Sequence, residues 1–246
     1  EEHAFAFLQH FAWIAYAMDR IGENHDEMWD DADGFFYDVL RLPDGSATRL
    51  KIRSMVGLLP LCASTIFGPE VVKGHPRLSA LIQLFRERHP KVLAQIAPTA
   101  EGFIGYKGRR LLSTLSKSRL ERVLGYMLDE NEFLSPYGIR SLSRYHKDHP
   151  FVFHVDGDAH TVSYLPAESD TGMFGGNSNW RGPIWMPVNT LIVRGLLNLY
   201  AFYGDDFKVE CPTASGKRMT LFEVAKEISQ RLASIFLRDA SGRRPV

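Results

Sequence analysis

Apolar side chains return every three or four residues through several long stretches of this 246-residue chain. Over residues 2–21 they are Ala4, Phe7, Phe11, Ile14, Met18 and Ile21, and near the C-terminal end they are Val224, Ile228, Leu232 and Ile235. That spacing lays a stripe along one side of a helix, and a stripe must be covered by neighbouring elements. The chain is therefore expected to be mainly α, built from helices packed on one another. Phe5, Leu8 and Trp13 extend the apolar character of the first helix to its other faces, which predicts wide burial.

Punctuation residues mark further helices. Gly22 is a stop for the first helix. Ser54 caps a helix over residues 55–67, closed by Gly68-Pro69. Pro76 opens one carrying Leu78, Leu81, Ile82 and Phe85. Further helices are expected over 91–96, 109–116 and 117–128. A long apolar helix runs from Pro183 to Tyr203, and Thr220 with Glu223 forms a capping box for the last. Strand character is confined to residues 35–42 returning at 47–53 across Pro43-Asp44-Gly45, and to 151–155 and 161–165 around Asp156-Gly157. Between these elements lie long Gly-, Pro- and aromatic-rich loops. Loops of that length are uncommon unless they do something.

Charge and cysteine content exclude several classes. Lys plus Arg and Asp plus Glu both number 29, whereas nucleic-acid and anionic-membrane binders need a net basic field. The longest apolar stretch, Met55 to Phe67, contains Pro60 and falls short of the ~20 residues that span a bilayer. Cys62 and Cys211 form no disulfide framework or zinc spacing, no secretory signal opens the chain, and a cytoplasmic setting is expected. The His residues show no metal-ligand spacing. His146, His149, His154 and His160 read as turn and hairpin surface. The basic stretch 107–122 reads as a solvated helix face. No cofactor or metal is expected.

The densest chemistry lies at 177–189, Asn-Ser-Asn-Trp-Arg-Gly-Pro-Ile-Trp-Met-Pro-Val-Asn. Indole faces stack on the apolar faces of sugar rings, and a guanidinium offers five donors to hydroxyls. Gly175, Gly176 and Gly182 permit close backbone approach. The mixture suits a neutral polyol, and it also suits a buried Trp-Arg knot at a helix start. A second run, Trp-Asp-Asp-Ala-Asp-Gly-Phe-Phe-Tyr-Asp at 29–38, ends in a carboxylate behind three aromatic rings. Its Asp31, Asp33 and Gly34 match the start of a calcium loop, but Leu42 stands where the twelfth-position Glu belongs. A third run, 130–143, carries Tyr137, Arg140 and Ser143. Glu168 and Asp170 form a carboxylate pair that could serve acid–base work or simply shape a loop.

Four of these segments together resemble glycoside hydrolase family 63, which includes processing α-glucosidases, bacterial glucosidases and mannosylglycerate hydrolases. They are the 29–38 run, Phe-Leu-Ser-Pro-Tyr-Gly-Ile-Arg-Ser-Leu-Ser at 133–143, Asn-Ser-Asn at 177–179 and Trp-Arg-Gly-Pro-Ile-Trp at 180–185. The resemblance implies an (α/α)6 toroid with small β-hairpin insertions. It also implies inverting hydrolysis by an acid–base pair of carboxyl groups about 6.5–9.5 Å apart. In that family the acid lies in a motif before residues 2–21 and the base in one after residue 246, and neither motif occurs in these residues. The expectation is thus an incomplete catalytic domain over 1–246. It would supply part of a sugar-binding wall from Tyr37, Asp38, Arg53, Trp180, Arg181, Gly182, Trp185 and Asn189. An opening Glu1-Glu2 without Met, inside a helix, agrees with a fragment.

Three functional readings follow. The first is an α-glucosidase-like glycosidase acting on an oligosaccharide or small glycoside in the full-length protein, with an α-mannoside hydrolase of the mannosylglycerate type as its variant. The second is a non-catalytic carbohydrate-binding helical protein. The third is a self-sufficient hydrolase using Glu168 or Asp170. No nucleic acid or membrane partner is expected.

Overall fold

A computed structural model describes residues 1–19, 26–94, 104–155, 157–165 and 183–245. Seven α-helices stand among the described residues, together with short antiparallel strand pairs. The helices are α1 (Glu2–Asp19), α2 (Pro69–Gly74), α3 (Pro76–Arg88), α4 (Pro90–Ala94), α5 (Lys117–Met127), α6 (Met186–Tyr203) and α7 (Leu221–Ser234). The strands pair as β1 (Trp29–Asp30) with β2 (Phe35–Phe36), and β3 (Asp38–Arg41) with β4 (Ala47–Leu50). Next come β5 (Ser64–Phe67) with β6 (Arg110–Ser113), and β7 (Leu134–Ser135) with β8 (Gly138–Ile139). The last pairs are β9 (Phe151–Val155) with β10 (Asp158–Val162), and β11 (Lys208–Glu210) with β12 (Arg218–Thr220). No described helix is long and apolar enough to cross a membrane.

The main core gathers Trp29 and Phe35 from the acidic run, Leu120, Val123, Leu124 and Met127 from α5, and the inner faces of α6 and α7. Full burial of such side chains contributes about 1.5–3 kcal/mol each before the entropy of ordering is counted. α6 lies against α7 and against the 3₁₀ helix Met55–Cys62. Gly195 makes the second contact possible: a Cβ there would stand 2.6 Å from the Leu61 carbonyl oxygen. A smaller core joins Ala12 and Ala15 of α1 to Phe85, Val92 and Leu112.

The β5–β6 pair divides the two cores. Side chains alternate across a strand, so Ile66 and Leu111 pack against the main core while Phe67 and Leu112 face the smaller one. The chain leaves through β5, forms α2 to α4, and returns through β6, with Phe67 opposite Arg110.

Three expectations are corrected. The segment 55–67 is not one helix: Ser54 caps a 3₁₀ helix, accepting from the Val56 N–H, and the chain then becomes β5. Pro60 supplies no N–H for a continuing α-helix, and Thr65 and Ile66 favour an extended chain. Residues 110–113 are β6 rather than helix because they have β5 to pair with. α1 is not widely buried: it buries Ala12, Ala15 and Asp19, while Phe7 and Ile14 are 77% and 61% exposed.

Candidate functional site

The acidic run 29–38 is held by the face of α5 that turns toward it. Arg122 donates to the carbonyls of Asp31 (2.6 Å) and Ala32 (3.0 Å), and the Tyr126 hydroxyl donates to that of Asp33 (2.7 Å). Arg119 lies 4.9 Å and Arg122 5.6 Å from the Trp29 ring, and Arg119 also pairs with Asp19 at 2.7 Å. The basic stretch is therefore not a purely solvated face, since two of its arginines clamp an indole. Lys51 Nζ stands 3.0 Å from the Asp30 carboxylate and 3.1 Å from that of Asp33. Of the two acids that match a calcium-loop start, Asp33 is thus paired with a lysine and Asp31 accepts the Trp29 indole N–H at 2.6 Å. The Asp30 carboxyl is held below its usual range, first by the Asp33 backbone N–H and further by Lys51 and Arg49. No group of three His, Cys, Asp or Glu suited to a metal occurs among the described residues.

The two wall residues of this run, Tyr37 and Asp38, meet at one cavity. The Tyr37 ring is 5.3 Å from Phe35, and its hydroxyl donates to Asp33 at 2.9 Å. Phe36 lies tilted by 59° against Trp29 at 4.8 Å and, with Tyr37 and Asp38, lines that cavity of about 240 Å³. Met18, Met28, Ile52, Val56, Leu59 and Pro60 supply apolar walls, and Ser54 a hydroxyl. Gly57 leaves no spare room in that wall: a Cβ would stand 2.3 Å from the Phe35 ring. No described side chain or backbone group hydrogen-bonds the Asp38 carboxylate, and burial raises its pKa. A half-buried acid in this state can hold a proton or accept a hydroxyl hydrogen bond from a ligand.

Arg53 occupies a different environment. Its guanidinium pairs with Glu132 and lies 4.0 Å from the Tyr145 ring centroid and 4.9 Å from that of Tyr126. Ser143 donates to the second Glu132 oxygen. His146 is 2% exposed: its Nε2 accepts the Arg53 backbone N–H at 2.9 Å, and its Nδ1 stands 3.0 Å from the His149 carbonyl. Burial lowers the His146 pKa, which fits a neutral ring donating through Nδ1. Reading His146 as surface is thus corrected. Arg140 is likewise buried, giving Nη1 to the carbonyls of Glu130, Glu132 and Leu134.

Asn189 is 0% exposed, and its amide is committed to protein backbone. Oδ1 accepts from Ile139 N–H at 2.8 Å, while Nδ2 donates to the carbonyls of Ile139 (3.0 Å) and Trp185 (3.1 Å). It imitates a strand partner for β8 rather than facing a ligand. Trp185 is half-buried at the start of α6. Trp180, Arg181 and Gly182, with Glu168 and Asp170, lie outside the described residues. Among the described residues, then, Tyr37 and Asp38 line one cavity, Arg53 is tied to Glu132 between the lining residues Ile52 and Ser54, and Asn189 serves the fold. Sequence reasoning missed Glu132 and Tyr126 as partners of Arg53, although Glu132 stands inside the 130–143 run already singled out.

Residues 82–238 match the family model described as the mannosylglycerate hydrolase MGH1-like glycoside hydrolase domain. The chain belongs to this glycoside hydrolase family. The uncharacterized protein YMR196W of Saccharomyces cerevisiae is 44% identical over 258 aligned residues, covering 100% of this chain and 23% of that protein. A "probable mannosyl-oligosaccharide glucosidase" of Schizosaccharomyces pombe is 35% identical over 82 residues, covering 33% of this chain and 7% of that protein. The chain spans less than a quarter of the length of either relative.

Proposed function

We propose that the full-length protein is a glycosidase that hydrolyses α-linked glucosides or related oligosaccharides with inversion. In this reading residues 1–246 are part of one (α/α)6 catalytic domain and contribute a section of its sugar-binding wall. The catalytic acid and base stand elsewhere in the protein. The observation that carries the reading is the Asp38 carboxylate, half-buried at a mostly apolar cavity and without a hydrogen-bond partner among the described residues. Buried polar groups are rarely left unpaired, so a ligand hydroxyl is the natural partner. The apolar walls suit the C–H face of a sugar ring. Trp180, Arg181, Gly182 and Trp185 complete the proposed wall.

The family description favours a second substrate reading, an α-mannoside of the mannosylglycerate type, whereas the Schizosaccharomyces pombe relative's name favours glucosides. One experiment tests both. The full-length protein is given α-linked glucobioses, trehalose and mannosylglycerate, and released sugar is measured for wild type and Asp38→Asn. Hydrolysis of one class names the substrate. The variant is expected to raise KM on the order of tenfold, as exchanging a charged hydrogen-bond acceptor for a neutral one does. Sugar binding without product from any substrate would turn the reading to a non-catalytic carbohydrate binder. An unchanged KM would remove Asp38 from the wall.

A further inference from the structure

We propose that His146 is a positioning residue: its neutral ring accepts the Arg53 N–H and so holds the 52–54 backbone along one side of the Asp38 cavity, a hold it loses on taking up a proton; this rests on the glycosidase reading above. Ile52 and Ser54 line that cavity, whereas neither Arg53 nor His146 is among the described residues that do. Residues 53–55 run antiparallel beside 141–143. Ser143 N–H donates to the Arg53 carbonyl at 2.8 Å, Met55 N–H donates to that of Ser141 at 2.8 Å, and Ser54 bridges Leu142. The ladder stops at Ser143, whose hydroxyl accepts the Tyr145 N–H at 3.0 Å and caps the 3₁₀ helix Arg144–Lys147. His146 on that helix turns its ring back to the end of the ladder, where Nε2 accepts the Arg53 N–H at 2.9 Å. A side chain thus stands in for the next strand residue.

Both ring nitrogens are committed, and that fixes the tautomer. Nε2 faces a donor and must be the acceptor, so Nδ1 carries the hydrogen and gives it to the His149 carbonyl at 3.0 Å. A charged ring would set an N–H against the Arg53 N–H. With His146 2% exposed, the displaced amide has little water to turn to, and a buried N–H without a partner is costly. The surroundings do not reward a proton either. Burial lowers the His146 pKa, the His149 carbonyl opposes that, and Arg53 and His149 add to it. The Tyr145 ring is 5.5 Å away, the Tyr164 N–H donates to the His146 carbonyl, and the Glu132 carboxylate is taken by Arg53 and Ser143. On the ring's own element stand Arg144, Lys147 and, at its C-cap, Asp148. The native pKa lies below the usual value of about 6.5, so the bond is intact at neutral pH and is lost as pH falls through the native value.

The test uses the full-length protein with His146→Phe, a ring without an acceptor, and His146→Gln, whose amide oxygen can accept the N–H and takes up no proton. Three things are measured: KM and kcat on the glycoside that wild type hydrolyses, the thermal midpoint, and amide hydrogen exchange over 52–54 and over α6. The pH runs from about 7 to about 4.5, the range in which a histidine of lowered pKa becomes charged. At neutral pH His146→Phe is expected to speed exchange over 52–54 and to raise KM, each on the order of tenfold, with a smaller effect on kcat. His146→Gln should stay close to wild type. As pH falls, wild type should move toward His146→Phe while His146→Gln does not. Asp38 titrates in all three proteins, so its effect cancels in the comparison. A His146→Gln protein as impaired as His146→Phe would make the ring's shape the feature that matters, and overturns the proposal. So does a wild type that tracks His146→Gln at every pH, and so does a lowered midpoint in His146→Phe with KM and local exchange unchanged. Faster exchange spread equally over α6 would be general loosening and overturns it as well. Should His146→Phe fail to fold, wild type against His146→Gln decides. Should wild type hydrolyse no glycoside, the glycosidase reading fails, and exchange alone decides whether His146 holds the wall.

Discussion

Asp38 is the residue on which most turns, and its ionisation gives a test independent of turnover. Burial raises its carboxyl pKa, so the fold favours the protonated form. Its stabilising contribution is complete below the unfolded Asp value of about 3.9 and is lost as pH rises through the raised native value. Asp38→Asn, which cannot ionise, should therefore raise the thermal midpoint near pH 7, with a gain that shrinks as pH is lowered toward about 4. Unfolding scans at several pH values check this, and a gain independent of pH would contradict it. Asp38 could be singled out from the sequence because its neighbours Phe35, Phe36 and Tyr37 mark the run. Arg53 could be named but not understood, because Glu132 lies 79 residues away. Asn189 was placed on the sugar wall from its motif, yet its amide closes against Ile139, 50 residues distant. Side-chain pattern shows which groups are present, whereas the partner that consumes each one is set by tertiary contact.

Among the elements, α7 is the clearest case of local sequence deciding structure. Thr220 accepts the Glu223 N–H at 3.3 Å, and the Glu223 carboxylate accepts the Thr220 N–H at 2.8 Å. The Thr220 N–H, joined by the Thr220 hydroxyl, holds the Glu223 carboxyl below its usual range. Thr220→Ala should cost about 1 kcal/mol, measured by urea unfolding. Helices with such signals are legible in α3 from Pro76 and α6 as far as Tyr203, and α5 falls within the expected 117–128, although its Ser116 cap reads from the sequence as the end of another helix. The 38–50 hairpin was legible from its Pro-Asp-Gly turn. What escaped were strands made by distant pairing. β5 and β6 are four residues each and far apart in sequence, so nothing within either stretch announces the other. β7 with β8 and β11 with β12 are shorter still. Pairs of two or three residues carry too little alternation to distinguish from loop.

At the scale of the described molecule, the two cores should differ in resistance to opening. α6 and α7 bury Ile192, Leu196, Leu199, Val224 and Ile228 in the larger one, whereas the smaller one has five buried members. Local opening follows the density of buried apolar contacts. Amide exchange in the full-length protein should therefore be slowest in α6 and α7 and at least about tenfold faster in α3. Equal protection would mean that the two cores open as one unit. The partition between them has a further consequence. The stretch from 68 to 109 departs and returns through strands that lie side by side, Phe67 opposite Arg110. The larger core meets this stretch at the paired strands and at its last turn, where Gly105 packs on Phe202 and Arg109 donates to the Ala201 carbonyl, while no residue of α2 to α4 belongs to it. Related proteins could thus lengthen, trim or exchange α2 to α4 while keeping β5, β6 and the turn before β6, since none of those helices lines the cavity at Asp38.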